Sequence, residues 1–139
     1  MKMNINPELI NGGKYLPNKG HANDAGIDCY AQQDTLLPVG KAILVPLGFR
    51  ISLPEHTRAF LTGRSSFNKK GILTLLGTID EGYHGELCAG FVNLSGAEYQ
   101  IKEGDRICQL VIDANPDIMD VGIISDIPRE EGGFGSTGK

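Results

Sequence analysis

No run of Lys and Arg longer than two residues occurs anywhere in the chain, and its formal net charge is −4. A nucleic-acid polymer or an anionic membrane needs a dense cationic field, so neither is expected as the main partner. A small anion needs only a few placed cations and stays open. No apolar stretch approaches the roughly 20 residues of a membrane span. The start, MKMNINPELI, lacks a signal-peptide core, so a soluble cytoplasmic protein is the expectation. The cysteines Cys29, Cys88 and Cys108 are odd in number and form no C-x-x-C pair. Each lies in an apolar stretch, which fits reduced core thiols better than a disulfide framework. His21, His56 and His84 are far apart in sequence, which argues against a zinc site. Long helical periodicity is missing too: no apolar i, i+3, i+4, i+7 pattern runs far without Gly or Pro.

What the chain has in quantity is punctuation. Nineteen glycines and seven prolines divide its 139 residues into short stretches rich in Val, Ile, Leu, Phe and Thr. They read KAILVPLGFRISL, HTRAFLT, ILTLLGTI, GELCAGFVNL, AEYQI and DRICQLVI. Short strands with turn signals between them predict an all-β antiparallel sandwich or barrel, in a domain long enough to bury a core. Along the last stretch, Ile107 and Val111 are expected on one face and Cys108, Leu110 and Ile112 on the other. At most a helical turn is expected near Ser66–Lys70. From Arg129 on, apolar content falls to Phe134 alone. Residues 1–128 are therefore expected as the folded domain and 129–139 as a mobile tail.

Four segments can carry chemistry. In GRSSF, Arg64 beside Ser65 and Ser66 suits an oxyanion clamp, because a guanidinium fork matches phosphate oxygens and hydroxyls fill the remaining lone pairs. The same letters also suit an exposed turn with one cation. GTIDEGYHGE reads as a hairpin with an elaborate turn. There Asp80 can orient a water as general base or simply form a turn, and Tyr83 can offer a flat face to a sugar or base. In GDRICQL, Gln109 in mid-strand needs a hydrogen-bond partner. The tail GGFGSTGK contains G-x-x-x-x-G-K without the Ser/Thr and helix that a nucleotide phosphate loop needs. Its glycine N–H groups can wrap an anion, and Phe134 can stack on a base; a disordered end is the alternative.

Taken in order, AGIDCYA (25–31), GRSSF (63–67), GTIDEGYHGE (77–86), GDRICQL (104–110) and R-x-x-GGFGSTG (129–138) resemble the trimeric dUTPase (deoxyuridine triphosphatase) family. The resemblance implies a distorted jelly-roll β-barrel, homotrimeric, with a flexible C-terminal arm closing over an intersubunit site. It also implies Mg²⁺-dependent hydrolysis of dUTP to dUMP and pyrophosphate. By the same carry-over, Asp80 activates the attacking water, Gln109 bonds phosphate or water, and Arg64, Ser65 and Ser66 hold the phosphates. Arg129, Gly135, Ser136 and Thr137 bind the outer phosphates, and Phe134 covers the uracil. Backbone around Thr74, Thr78, Ile79 and Cys88 reads the base, and Tyr83 lies under the deoxyribose. No metal ligand is implied directly: Mg²⁺ rides on the phosphates, with Asp28 either reaching its water shell or serving structure alone.

Rival readings are a deoxycytidine triphosphate deaminase of the same fold and a non-catalytic nucleotide- or partner-binding protein on this scaffold. The deaminase glutamate would align with Gly90, which has no side chain to shuttle a proton. Three positions depart from the family pattern: Gly63 and Ser66 stand where Pro and Gly are common, and Thr74 where an amide or Gly is. A fourth is Glu130, which replaces the usual Gly after the tail arginine and adds a negative charge beside the outer phosphates. Steady-state kinetics of Glu130→Gly on dUTP should give an unchanged or higher kcat/KM; a large loss would assign Glu130 a positive role.

Overall fold

The computed structural model of the chain describes residues 2–125. Its strands are β1 (Glu8–Leu9), β2 (Ile27–Tyr30), β3 (Thr35–Leu37), β4 (Ala42–Pro46), β5 (Phe49–Arg50) and β6 (Thr57–Gly63). After α1 (Ser65–Lys70) come β7 (Ile72–Leu75), β8 (Gly77–Ile79), β9 (Cys88–Asn93), β10 (Tyr99–Ile101) and β11 (Arg106–Ala114). A four-stranded sheet runs β2-β11-β6-β8 and a three-stranded sheet β4-β9-β7; β1-β5 and β10-β3 form two short ribbons. All these ladders are antiparallel. The architecture is the all-β jelly roll expected.

Alternation builds the core. In β6, Thr57, Ala59 and Leu61 point inward while their neighbours are half-buried. Phe49, Phe91, Leu47 and Ile107 are fully buried between the sheets. Phe67, the one buried residue of α1, stands edge-on to Phe91 (5.8 Å) and to Tyr99 (5.4 Å). That contact pins the short helix, which Gly71 closes in the left-handed conformation at φ 83°. Asn93 is a fully buried polar residue and uses its whole amide. Its nitrogen donates to the carbonyls of Leu37 (3.0 Å) and Ala97 (2.8 Å), and its oxygen accepts from Ser95 N–H (3.0 Å) and Oγ (2.7 Å).

Two expectations are corrected. The register of β11 against β2 shifts between Arg106 and Cys108, so a bulge breaks the simple alternation. Ile107 and Cys108 are consequently both fully buried, whereas Val111 is half-buried. Nor is GTIDEGYHGE a simple hairpin: β8 pairs with β6, while β9 pairs with β4 and β7. The segment between them crosses from one sheet to the other.

Replacing Asn93 by Leu would take from the buried Leu37 carbonyl its amide donor, while the Ala97 carbonyl keeps its bond from Ser95 Oγ. A buried acceptor that loses its partner costs about 1–3 kcal/mol, so the variant should unfold at clearly lower urea concentration than the parent.

Candidate active site

β11 is the strand on which the site is assembled. It is paired on both edges, and Gln109 faces Asp28 across one ladder and Thr62 across the other. Asp28 is almost fully buried, and its backbone exchanges hydrogen bonds with Asn18 (2.7 and 3.1 Å). Arg106, at the start of β11, brings Nη1 to 3.6 Å from Asp28 Oδ2. Arg64, the cap residue of α1, donates from Nη1 to the Arg106 carbonyl at 2.9 Å. Among the described residues this is the one side-chain hydrogen bond of Arg64, so the guanidinium is aimed but still has donors to give.

These groups line a depression of about 380 Å³ that also takes in His21, Asp24 and Gly26. Gln109 is half-buried and makes no hydrogen bond among the described residues; it opens onto this space. The Gln109 side chain is therefore not held by another side chain of the described residues and keeps its donor and acceptor toward the depression. Gly26 makes room for it: a Cβ there would lie 2.6 Å from Gln109 Oε1. Ser65 and Ser66 are exposed in the first turn of α1, beside Arg64.

Asp80 is elsewhere. It follows Ile79, which pairs with Ala59, so it lies beside the Arg58 end of β6. Arg64 leaves the other end. At about 3.3 Å per residue, the length of β6 sets these two groups roughly 20 Å apart within one chain. Tyr83 belongs to the Asp80 turn: its N–H donates to the Asp80 carbonyl at 3.2 Å and its hydroxyl to the Glu86 carbonyl at 2.9 Å. That folded-back ring requires Gly85, where a Cβ would stand 2.4 Å from the hydroxyl. Glu86 anchors the same turn, its carboxylate accepting from Gly48 N–H (2.8 Å) and Asn11 Nδ2 (2.9 Å).

Thr78 and Ile79 lie on β8, and Thr74 and Cys88 on β7 and β9 of the other sheet. Thr74 Oγ1 is buried against Gly63 without a hydrogen-bond partner. Burial, and then the Glu86 carboxylate, push the Cys88 thiol up, which disfavours a reactive thiolate there. The hydrogen bond with Cys108 and burial raise Cys29 well above its ordinary value. All three cysteines are free thiols, as expected. Arg129, Phe134, Gly135, Ser136 and Thr137 lie outside the described residues, as does Glu130. Arg106, Gly26 and Glu86 were not singled out from sequence. Arg106 had a signal, being the cation inside GDRICQL, but its partner Asp28 is distant along the chain.

Among the described residues no three His, Cys, Asp or Glu side chains converge as a metal cage, and no helix is long and apolar enough to cross a membrane. Two arginines, an open amide and a screened carboxylate give this jelly-roll protein a cleft whose spare donors suit an anion. The chain belongs to the dUTPase family, whose model matches residues 14–138.

Among relatives, the deoxyuridine 5′-triphosphate nucleotidohydrolase of Clostridium tetani is 38% identical over 137 residues, covering 95% of this chain and 94% of its own. That of Crocosphaera subtropica is 39% identical over 128 residues, covering 88% and 90%. Among solved structures, a mutant dUTPase of S. aureus phage phi11, in which a structural Mg(II) ion is coordinated, has TM-score 0.75 at 26% identity, covering 86% and 97%. A mutant dUTPase of Staphylococcus bacteriophage 80alpha with dUpNHpp has TM-score 0.74 at 26% identity, covering 97% and 98%.

Gly26→Ala should displace the Gln109 amide while leaving the strand geometry intact. Losing one hydrogen bond to a charged ligand costs about 1.5–3 kcal/mol, so tripolyphosphate binding by calorimetry should weaken roughly 10- to 100-fold with an unchanged circular dichroism spectrum.

Proposed function

We propose that the chain hydrolyses dUTP to dUMP and pyrophosphate as a Mg²⁺-dependent homotrimer acting on the soluble nucleotide pool of the cytoplasm. The observation that carries this reading is the convergence of Arg64, Arg106, Gln109 and Asp28 on one cleft, in a chain of this family. Arg64, Ser65 and Ser66 grip the phosphates, and Gln109 bonds phosphate or the attacking water. Asp80 takes a proton from that water as its oxygen bonds to the α-phosphorus. The bridging P–O bond breaks, and pyrophosphate leaves with the electron pair. Mg²⁺ carried on the triphosphate supplies charge neutralisation, and Asp28 is the carboxylate placed to reach its water shell.

The length of β6 between Asp80 and Arg64 supports a site shared between copies. So does the outer face of the three-stranded sheet, where Leu44 stands level with Gly90 and Leu75, and Ala42 with Val92 and Leu73. Leu44, Leu73, Leu75 and the adjoining Leu76 are exposed in the single chain. A continuous apolar face of this kind calls for a partner, and a second copy is the occupant that also brings Asp80 to Arg64.

Backbone at Thr74, Thr78, Ile79 and Cys88 reads the uracil edge, where the wrong base leaves buried groups unpaired. Tyr83, held by Gly85 and Glu86, excludes a 2′-hydroxyl. The tail residues Arg129, Gly135, Ser136 and Thr137 close on the outer phosphates, with Phe134 over the base. Deamination is disfavoured at Gly90, which has no acid–base group; a Cβ there would meet the exposed Leu75 Cδ1 at 3.1 Å and Leu44 Cδ2 at 3.4 Å, so those side chains would have to shift to admit one.

Pyrophosphate release from dUTP, against dTTP, dCTP and UTP, tests the assignment; ammonia release from dCTP would overturn it. Asp80→Asn should lower kcat by about 10²–10⁴-fold while keeping nucleotide binding. Sharing between copies has its own test. Refolding a mixture of Asp80→Asn and Arg64→Ala chains, each inactive alone, should restore turnover; no recovery would place both groups in one subunit's site.

A further inference from the structure

On the far side of Arg64 and Arg106 from the cleft lies a second depression, of about 420 Å³. It is walled by those two arginines, Ser66, Lys70, Tyr30, Tyr99 and Asp105, among others, so the Ser66 hydroxyl of the proposed phosphate grip borders it as well. We propose that this groove is a second phosphoanion site that receives pyrophosphate, the leaving product, from the cleft; the identity of the anion rests on the reaction proposed above.

Charge is the first reason. Three cations face one carboxylate there, in a chain whose net charge is −4. Even that carboxylate is partly occupied, since Asp105 Oδ2 accepts the Lys102 N–H at 2.8 Å. The cations, by contrast, have donors to spare. Lys70 makes one long hydrogen bond, 3.4 Å to the Tyr99 hydroxyl, and Arg64 commits one N–H to the Arg106 carbonyl. A compact anion with many acceptor oxygens matches this set.

The aromatic walls decide between a bare phosphoanion and a nucleotide. Lys70 Nζ sits 4.8 Å from the centroid of the Tyr99 ring, and Phe67 meets that ring edge-on at 5.4 Å. Tyr30 is packed beside Tyr15 at 6.3 Å and donates its hydroxyl to Asn18 Oδ1. With Lys70 covering the ring of Tyr99, the wall offers a base little aromatic surface to stack on. Pyrophosphate therefore fits and a nucleoside does not.

Continuity with the cleft is the last reason. Arg64 and Arg106 line both depressions, so an anion held by one side of the guanidinium pair can pass to the other without losing its countercharge. Lys70 then gives the product a cation that the cleft itself lacks. Lys69, its neighbour on α1, is exposed and does not line the groove, which makes it the matched control.

Calorimetric titration of pyrophosphate into the intact protein reads the site without requiring turnover. Lys70→Gln should weaken pyrophosphate binding about tenfold, the loss of one charge-assisted contact, whereas Lys69→Gln should bind like the parent. Tyr99→Phe should give a smaller loss in the same direction. In a separate assay, the inhibition constant for added pyrophosphate during dUTP turnover should rise in Lys70→Gln, with that for dUMP little changed. Equal effects of the two lysine substitutions, or none, would overturn the site. Inorganic phosphate binding as tightly as pyrophosphate would overturn the product assignment. If the parent binds pyrophosphate through Lys70 but does not cleave dUTP, the groove stands and the proposed reaction falls.

Discussion

Everything in the cleft depends on β11 being paired along both edges. A strand with β2 on one side and β6 on the other has no freedom to rotate or slide, so its side chains are presented at set positions. That is why a glutamine can stand half-buried without a protein partner: the ladder, and not its own hydrogen bonds, holds it. The bulge near Ile107 then turns Arg106 out to the start of the strand, where it meets Asp28 on one side and offers its carbonyl to Arg64 on the other. Packing contributes the rest, since Phe67 wedged against Phe91 and Tyr99 holds the α1 turn that carries Arg64, Ser65 and Ser66.

The same rigidity separates the two groups to which the proposed reaction assigns its chemistry. β6 is a spacer with the guanidinium–hydroxyl grip at one end and the Asp80 turn at the other. No side chain is long enough to bridge that span. On the proposed reaction, a rigid fold can bring both ends to one phosphate chain only by borrowing from a copy of itself, and the apolar outer face of β4, β9 and β7 offers a surface for doing so. Gly90 has a place in that logic, because its missing side chain lets Leu44 and Leu75 close over β9 into one continuous patch.

Several elements were legible in the residues before any coordinates. The strands in HTRAFLT, AEYQI and DRICQLVI follow from short apolar stretches bounded by turn residues, and the short helix from the absence of any longer periodic run. The pairing of an arginine with two serines pointed to a phosphoanion before its surroundings were known. Other readings failed for definable reasons. A bulge shifts parity by one residue and leaves no mark in composition, so the faces of Ile107 and Val111 were misassigned. The segment around Asp80 looked like a hairpin because its flanks are apolar on both sides; which sheet each flank joins is a long-range choice that local pattern does not encode.

Residue order alone was enough to specify an all-β domain, its turns, its free thiols and groups whose chemistry suits a phosphate chain, because strand period, glycine conformation and side-chain chemistry are local properties. Which groups meet was settled by pairing between residues far apart along the chain. Asp28 reaches Arg106 and Gln109 across a ladder, the Arg64 guanidinium donates to the Arg106 carbonyl, and Asp80 is carried to the opposite end of β6. Those placements arise from the burial of one shared core, and a core exists only when the whole chain has folded around it.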